Sequence, residues 1–394
     1  MLKQLTPEHC LPQDAARATL VGRLWIEGTG PVLVQVRPDG VYDLGAVAPT
    51  MSDLLECPDA VAAVRQNTGA RLGDTAALLK NSAQDERKRA LPWFLAPCDL
   101  QAIKATGVTF VNSVLERVIE EQARGDADKA ESVRRAVVAV IGDNLSSVKP
   151  GSPEAEKLKE VLVAQGAWSQ YLEVAIGPDA EVFTKSAPMS AVGVGAEVGI
   201  HPRSHWNNPE PEIVLAVNSR GEVQGAALGN DVNLRDFEGR SALLLGKAKD
   251  NNASCAIGPF IRLFDEHFTM DDVRRCDLAM EVRGAGGFMM RGSSSMSQIS
   301  RDPLELVKHV IGPHHQYPDG VMFFLGTMFA PIQDRHGPGQ GFTHEIGDIA
   351  TVSTPQLGML VNRVNTSDKI APWTYGTRAL MHDLARRGVR RATD

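Results

Sequence analysis

A pair of glutamates that opens a predicted β-hairpin constrains this chain more than any other feature. Glu210 and Glu212 precede an apolar run at 213–217, a turn-like Asn-Ser-Arg-Gly segment and a second strand-like stretch at 222–228, which is followed by Gly-Asn and Asp231. The period of a strand puts both glutamates on one face. If the turn centres on its Arg-Gly pair, Asp231 lies opposite Glu210 to within a residue or two. The sequence therefore predicts three carboxylates at the open end of one hairpin.

Three carboxylates in one place are costly without a counter-charge. At ~4 Å and an effective dielectric constant near ~20, each like-charge pair costs about 4 kcal/mol, and a bound divalent cation removes that cost. An all-oxygen ligand set favours Mg²⁺, Ca²⁺ or Mn²⁺ over Zn²⁺. The alternative is a polar strand edge whose glutamates stand apart in water, which is the ordinary explanation of an isolated Glu-x-Glu.

The composition limits the class of protein. A chain of 394 residues can bury a large core. The residue pattern changes near residue 95, which predicts a small α+β domain at 1–95 and a larger domain at 96–394. The net charge of −7 argues against a nucleic-acid or anionic-membrane surface. No window approaches the roughly 20 apolar residues of a membrane helix, and the N-terminus lacks the apolar core of a signal peptide. Five cysteines without metal-type spacing are typical of reduced thiols, so we expect a cytoplasmic protein with no nucleic-acid or membrane partner.

Hydrophobic periodicity predicts a mixture of helices and short strands. Apolar spacing predicts helices at 110–123, 130–141, 154–165, 303–310 and 373–387, and strands at 19–25, 31–36 and 41–44. Between about 173 and 364 the chain consists mostly of short strands with glycine-rich turns. It contains no phosphate loop, Gly-x-Ser-x-Gly elbow or dinucleotide fingerprint in a βαβ context.

Further polar residues follow the hairpin and are candidates for the same site. Arg235 adjoins an aspartate with which it can pair, and Lys247 is suited to carry a proton or to act as a counter-charge beside an enolate. Arg291 precedes hydroxyl groups of the kind that bind a carboxylate, those of Ser293, Ser294 and Ser295. Thr327 ends a buried apolar strand. The ordinary alternatives are a surface ion pair, a solvated lysine, a flexible serine loop and a threonine that satisfies a neighbouring backbone group.

The order of these segments resembles the fumarylacetoacetate hydrolase superfamily over roughly residues 99–372. The matching residues are Glu210, Glu212, Asp231, Arg235, Asp236, Lys247, Gly258, Pro259, Gly326, Thr327, Gly347, Asp348 and Gly358. The resemblance implies an α+β fold whose catalytic domain is an antiparallel β-roll, with the small N-terminal domain beside it. It also implies Mg²⁺ at Glu210, Glu212 and Asp231, with Mn²⁺ or Ca²⁺ as substitutes.

One departure from the family pattern bears on the reaction. Hydrolytic members carry Asn-Tyr-x-x-His-x-x-Glu near the start of the domain, and the His–Glu pair activates the water that cleaves a C–C bond. The matching stretch here keeps Glu116, but Ser113 stands at the histidine position, three residues after Phe110. The usual glutamine after Arg-Asp is Glu238 here. A C–C hydrolase built on this sequence would lack its base.

The whole layout resembles the branch of the family that dehydrates 2-keto-3-deoxy-pentonates to 2-oxoglutarate semialdehyde in non-phosphorylative pentose oxidation. On that resemblance, metal chelation of the C1 carboxylate and C2 carbonyl acidifies C3, and loss of a C3 proton expels the C4 hydroxyl. Proton transfer is assigned to Lys247, with Glu116 as the second candidate. The substrate-binding set is Thr327, Arg291, Ser293, Ser294, Ser295, Ser113, Phe110 and Arg235.

Other functions on the same scaffold stay open. One is a hydrolase of 2,4-diketo acids, with His201 or His205 as the water-activating base. Others are a decarboxylase of 2-keto acids and a binding protein that has lost catalysis. For partners, the resemblance implies a small 2-keto-3-deoxy sugar acid and assembly as a homodimer or homotetramer.

Overall fold

The computed structural model describes residues 2–124, 126, 129–130, 148–164, 166–329, 331, 333–338 and 340–388. The strands are β1 (Leu20–Ile26), β2 (Gly30–Arg37), β3 (Gly40–Asp43), β4 (Arg71–Gly73), β5 (Trp93–Phe94), β6 (Ala102–Thr106), β7 (Val182–Ser186), β8 (Glu197–Ile200), β9 (Asn207–Asn208), β10 (Pro211–Val217), β11 (Val223–Asp231), β12 (Asn233–Leu234), β13 (Cys255–Leu263), β14 (Asp277–Arg283), β15 (Met289–Ser295), β16 (Val321–Phe324), β17 (Ile349–Thr354) and β18 (Gly358–Thr366).

The described α-helices are shorter and lie mostly between or beside the strands. They are α1 (Pro7–Cys10), α2 (Met51–Glu56), α3 (Ala60–Arg65), α4 (Thr75–Asn81), α5 (Val111–Gln122), α6 (Pro153–Ala164), α7 (Gln170–Ile176), α8 (Arg235–Glu238), α9 (Leu245–Lys249), α10 (Met270–Val273), α11 (Pro303–Val310) and α12 (Thr377–Arg386). The predictions of α5, α6, α11 and α12 are confirmed, although α12 begins at residue 377 rather than 373. The helix predicted at 130–141 lies, apart from its first residue, outside the described residues. None of the described helices is long and apolar enough to cross a membrane.

An eleven-stranded sheet organises the fold. Its order is β4-β3-β2-β1-β13-β11-β10-β16-β6-β7, with β5 paired to β1. The pairs are antiparallel except that of β16 with β6, which is parallel. The N-terminal strands join this sheet through Leu20 opposite Arg262 and Val21 opposite Ile261. The predicted domain boundary falls between β5 and β6, and the hydrogen bonding of the sheet continues across it.

A second, five-stranded sheet has the order β15-β14-β17-β18-β8. Buried side chains of the two sheets share one core, in which Leu228 of β11 belongs with Val282 of β14, Val352 of β17 and Leu360 of β18. A two-stranded ladder of β9 and β12 lies at the end of the hairpin. The α+β class predicted from the sequence is confirmed, as a fold of open, largely antiparallel sheets with helices.

The hairpin that carries the acidic residues forms as predicted. Pro211 lies opposite Asn230, and the backbone N–H of Asp231 donates to the carbonyl of Glu210 at 3.0 Å. The turn contains Gly221 at φ +78°, a left-handed conformation that glycine adopts without steric cost. Because β10 lies between β11 and β16 inside the main sheet, the hairpin is held on both sides. The acidic end therefore has a fixed geometry.

The serine-rich segment is a strand and not the loop that the sequence suggested. Ser293, Ser294 and Ser295 belong to β15, which pairs with β14 and forms an edge of the second sheet. Ser294 and Ser295 are half-buried and Ser293 is exposed. The extended backbone of β15, paired along all seven residues with β14, does not gather successive N–H groups around one point as an anion-binding loop does.

Candidate active site

The predicted carboxylates meet at the end of the hairpin. One ligand oxygen each from Glu210, Glu212 and Asp231 lies within 4.8 Å of the others, and the three side chains are buried. One oxygen of Glu212 accepts the backbone N–H of Gly326 at 2.8 Å. Three converging carboxylate oxygens form a donor set that fits a hard divalent cation such as Mg²⁺. These are the residues that would hold the metal.

The surroundings shift the pKa values of two of these acids in opposite directions. The pKa of Glu212 is well above its ordinary value, because the carboxyl is buried and because Asp231 and Glu210 lie close to it. Burial also acts to raise the pKa of Asp231, but the ammonium groups of Lys185 and Lys249 outweigh burial and lower it. The metal-free site therefore favours a proton on Glu212 and a negative charge on Asp231.

Two buried lysines supply the compensating charge. The Nζ of Lys185 lies 2.7 Å from Oδ1 of Asp231 and donates to the carbonyl of Val232 at 3.1 Å. The Nζ of Lys249 lies 3.0 Å from Oδ2 of Asp231 and also contacts Glu210. Burial alone would lower the pKa of Lys249, but the surrounding carboxylates raise it far above its ordinary value. Lys249 is therefore a permanent ammonium group beside the metal ligands.

The structure corrects the assignment of the catalytic lysine. Lys247 is exposed, and its Nζ lies 5.7 Å from the ring of Phe237 rather than at the carboxylates. Both lysines belong to α9, where residues two apart point to opposite sides because each residue advances by about 100°. Lys249 therefore occupies the place that the sequence assigned to Lys247.

Two buried arginines form ion pairs with acidic residues of helix α5, and one of them also contacts the triad. Arg117 lies 2.7 Å from Glu120 and 2.9 Å from Glu238, and its second amino group contacts Glu210. Arg235 pairs with Glu120 at 2.6 Å and with Glu116 at 2.9 Å. Glu116 is thus held by an ion pair in this network, and Arg235 is held inside the protein rather than directed at a substrate.

The predicted pair of Arg235 with the following residue is wrong. Asp236 instead accepts hydrogen bonds from the hydroxyl of Ser204 at 2.8 Å and from the backbone N–H of His205 at 2.9 Å. Arg235 also stacks over the ring of Trp206, with 4.3 Å between the guanidinium carbon and the ring centroid. The two neighbours therefore hold different segments, although both are beside the hairpin.

The other predicted substrate ligands lie in different places. Thr327 is buried, follows the glycine that contacts Glu212, and donates its hydroxyl to the carbonyl of Phe329 at 3.1 Å. Phe110 is buried at the start of α5, and Ser113 lies in the first turn of that helix. Arg291 is exposed, pairs with Glu281 at 2.8 Å and lines a separate cavity of about 470 Å³ together with Ser293. Thr327 is thus next to the triad, whereas the serine strand and Arg291 are not brought to it.

A residue that the sequence reasoning missed, Glu181, lies beside the site. It lines a cavity of about 570 Å³ together with Trp168, Tyr171 and Glu238. Burial, followed by the nearby charge of Glu238, raises the pKa of Glu181 to about 7. No local sequence pattern indicates that Glu181 lies near the triad, because it precedes a short edge strand about 30 residues before the hairpin. A carboxyl group with this pKa can both accept and release a proton at neutral pH.

Comparison with known proteins agrees with this geometry. A family model described as the fumarylacetoacetate (FAA) hydrolase C-terminal domain matches residues 164–365, which is just over half of the chain. The chain belongs to the fumarylacetoacetate hydrolase family. The family predicted from the sequence is therefore confirmed.

Two relatives of this family member are named as dehydratases. The chain is 28% identical over 190 residues to a 2-dehydro-3-deoxy-D-arabinonate dehydratase of Saccharolobus solfataricus. The matched stretch is 48% of this chain and 60% of the relative. It is 29% identical over 196 residues to a probable 2-keto-3-deoxyxylonate dehydratase of Haloferax volcanii, covering 50% of this chain and 64% of the relative. The chain thus spans less than two thirds of the length of each of these relatives.

Solved structures show the same fold over a longer stretch. A 2-keto-3-deoxy-D-arabinonate dehydratase in its apo form matches with a TM-score of 0.62 at 19% identity, covering 88% of this chain and 99% of that one. The same enzyme complexed with magnesium and 2,5-dioxopentanoate matches with a TM-score of 0.60 at 20% identity over the same shares. At this identity the likeness establishes the fold.

We predict that Mg²⁺ binding at this site releases protons and weakens as the pH falls. Because the pKa of Glu212 is raised, its carboxyl group keeps a proton at pH values where an ordinary glutamate is ionised. A cation must displace that proton to bind the oxygen. Titration calorimetry in two buffers of different ionisation enthalpy measures the release. Changing Glu222, an exposed glutamate of the same hairpin, to Gln should leave it unchanged. Equal binding heats in both buffers would contradict the prediction.

Proposed function

We propose that this protein is a Mg²⁺-dependent hydro-lyase that converts a 2-keto-3-deoxy-pentonate to 2-oxoglutarate semialdehyde in non-phosphorylative pentose oxidation. The observation that carries the proposal is the buried triad of Glu210, Glu212 and Asp231, which is in contact with the ammonium group of Lys249. A cavity lined by two further carboxyl groups, those of Glu181 and Glu238, is linked to it through Arg117. The names of the two relatives support it, as does the solved structure that holds magnesium and 2,5-dioxopentanoate, which is the same compound as 2-oxoglutarate semialdehyde.

The proposed chemistry requires a metal, a fixed positive charge and one proton carrier. When bound, the cation polarises the carboxylate and adjacent carbonyl of the keto acid and so makes the C3 protons acidic. Lys249 cannot serve as a base, because its raised pKa keeps it protonated. It instead places positive charge where the enolate develops. Thr327, beside the triad, remains the proposed ligand of the substrate carboxylate.

Glu181 is the residue that the cavity offers for proton transfer. It takes a proton from C3, the electron pair of that C–H bond forms the C3–C4 double bond, and the C4–O bond breaks. Glu181 returns the proton to the departing hydroxyl, which leaves as water. C5 then loses a proton and C3 takes one up from solvent. The resulting enol takes a proton from solvent at C4 and releases its hydroxyl proton, which gives the C5 aldehyde. No water nucleophile is required, so the absence of histidine at residue 113 is compatible with the reaction.

We predict that Glu181→Gln lowers kcat by about 10²–10⁴-fold and leaves Mg²⁺ binding intact. Because the carboxylate form must accept the first proton, kcat of the unaltered protein should rise with pH through about 7, and the variant should lose that limb. Gly107→Ala tests the same role in a second way, because the added Cβ would lie 1.9 Å from Oε2 of Glu181 and displace that carboxyl group. Gly246→Ala is the control, because a Cβ at Gly246 meets no atom within 4 Å. An unchanged pH profile in Glu181→Gln would rule out this role.

The described residues do not favour hydrolysis. His201 accepts the backbone N–H of Arg203 at 3.1 Å and packs against Phe237 with 5.3 Å between ring centroids, while His205 is exposed. The product decides between the functions. Formation of 2-oxoglutarate semialdehyde from the Mg²⁺-loaded protein and a 2-keto-3-deoxy-pentonate supports the proposal. Pyruvate with glycolaldehyde would indicate C–C cleavage, and CO₂ a decarboxylase.

A further inference from the structure

The cavity that Glu181 lines carries polar and aromatic groups, and these indicate which end of a ligand it binds. It measures about 570 Å³ and is lined by Trp168, Tyr171, Glu181 and Glu238, among others. Arg117 connects it to the metal ligands, because one amino group lies 2.9 Å from Glu238 and the other contacts Glu210 of the triad. Arg117 therefore links the cavity wall to the triad, and the charge of Glu210 also acts on the carboxyl group of Glu181 in that wall.

The triad and the cavity wall offer different groups to a ligand. The ammonium groups of Lys185 and Lys249 lie on the triad. The cavity wall instead carries the carboxyl groups of Glu181 and Glu238, whose pKa values are raised, first of all by burial. Carboxyl groups form hydrogen bonds with ligand hydroxyl groups, as acceptors when ionised and also as donors when protonated. Trp168 adds an aromatic face against which C–H groups can pack.

Tyr171 is a buried residue that lines this cavity and carries a hydroxyl group. It lies at the start of α7, and its backbone N–H donates to the hydroxyl of Ser169 at 3.1 Å. The residue is 6% exposed and packs in a cluster with Val118 and Leu172. Burial, followed by the charge of Glu238, raises the pKa of its phenol, so that the hydroxyl stays neutral and can donate and accept hydrogen bonds.

We infer that this cavity binds the hydroxylated C4–C5 end of the keto acid, and that Tyr171 and Glu238 select substrates that carry a C5 hydroxyl. The inference rests on the proposed dehydratase function and adds the orientation of its substrate. The carboxylate end faces the triad and its lysines, while the polyol end faces Tyr171 and Glu238. A compound that ends in a methyl group leaves these buried polar groups without a partner, which costs affinity for the transition state.

The test compares a 2-keto-3-deoxy-pentonate with 4-hydroxy-2-oxopentanoate, the same molecule without the C5 oxygen. The unaltered protein should dehydrate the pentonate with a kcat/KM at least roughly tenfold higher, as expected for one hydrogen bond to a polar or charged group. Tyr171→Phe should lower kcat/KM for the pentonate by roughly tenfold and leave that for the methyl analogue unchanged. Tyr317→Phe, at a half-buried tyrosine that packs on His315, is the matched control.

Each outcome separates this inference from the function on which it rests. If both compounds are dehydrated with equal kcat/KM, or if Tyr171→Phe weakens both equally, the dehydratase function stands and the hydroxyl-selecting site is overturned. If Mg²⁺ binds but the unaltered protein dehydrates neither compound, the proposed function fails and the inference fails with it. Selective loss for the pentonate in Tyr171→Phe, with Tyr317→Phe unchanged, supports the inference.

Discussion

Glu212→Gln is expected to abolish Mg²⁺ binding and turnover while raising the thermal stability of the metal-free protein. The first effect follows from the loss of one of three carboxylate ligands and amounts to roughly 10³-fold or more in kcat/KM. The second follows from the raised pKa of Glu212, since the folded metal-free protein must either hold a proton there or bury a further negative charge, and a neutral amide avoids both costs. Calorimetry with Mg²⁺ and thermal unfolding in EDTA at mildly alkaline pH measure both.

Asp231→Asn provides the contrasting control. Asp231 is the partner of Lys185 at 2.7 Å and of Lys249 at 3.0 Å, so that losing its charge leaves two buried ammonium groups short of a partner. Breaking a buried ion pair in this way costs about 3–5 kcal/mol. Both variants should therefore be inactive, but only Asp231→Asn should be less stable in EDTA. Retained activity in Glu212→Gln would remove this residue from the metal site, and a lower melting temperature would contradict its electrostatic environment.

Lys249→Met is expected to abolish turnover and at the same time to strengthen Mg²⁺ binding. The ammonium group contacts Glu210 and Asp231, the same carboxylates that would hold the cation, and therefore competes with it. Without metal the variant should lose about 3–5 kcal/mol of stability, because two buried carboxylates lose a partner. Excess Mg²⁺ should restore much of that loss, since a ligand that binds only the folded state stabilises it.

Lys247→Met is the matched control, two residues away on the same helix. Lys247 is exposed, so its replacement should change stability by no more than about 0.5 kcal/mol and leave kcat/KM unchanged. Steady-state kinetics and chemical unfolding with and without Mg²⁺ distinguish the two lysines. The opposite pattern, with Lys247→Met inactive and Lys249→Met active, would mean that α9 presents its other side to the site.

The part of the site that could be predicted from sequence is the part that depends on local geometry. A short turn and the two-residue period of a strand are sufficient to place Asp231 opposite Glu210, and the structure has that register. The sequence alone does not distinguish Lys247 from Lys249, because both belong to the same five-residue helix and differ only in burial. The phase of so short a helix depends on what it packs against, which the sequence does not contain.

The remaining features depend on contacts between distant segments. Glu181 and Lys185 reach the site because β7 joins the far edge of the main sheet, beyond β16 and β6. The N-terminal strands join the main sheet because β1 pairs with β13, more than 200 residues later in the chain. Such pairings are set by tertiary packing, and no residue pattern near either strand reports them.

The most direct test of the account is proton NMR in ²H₂O of the purified protein with Mg²⁺ and a 2-keto-3-deoxy-pentonate, with and without EDTA. We expect an aldehyde signal from 2-oxoglutarate semialdehyde, with solvent deuterium at C3 and C4, that disappears with EDTA and returns with added Mg²⁺. Pyruvate and glycolaldehyde, or an aldehyde signal that EDTA does not affect, would contradict the proposed metal-dependent dehydration.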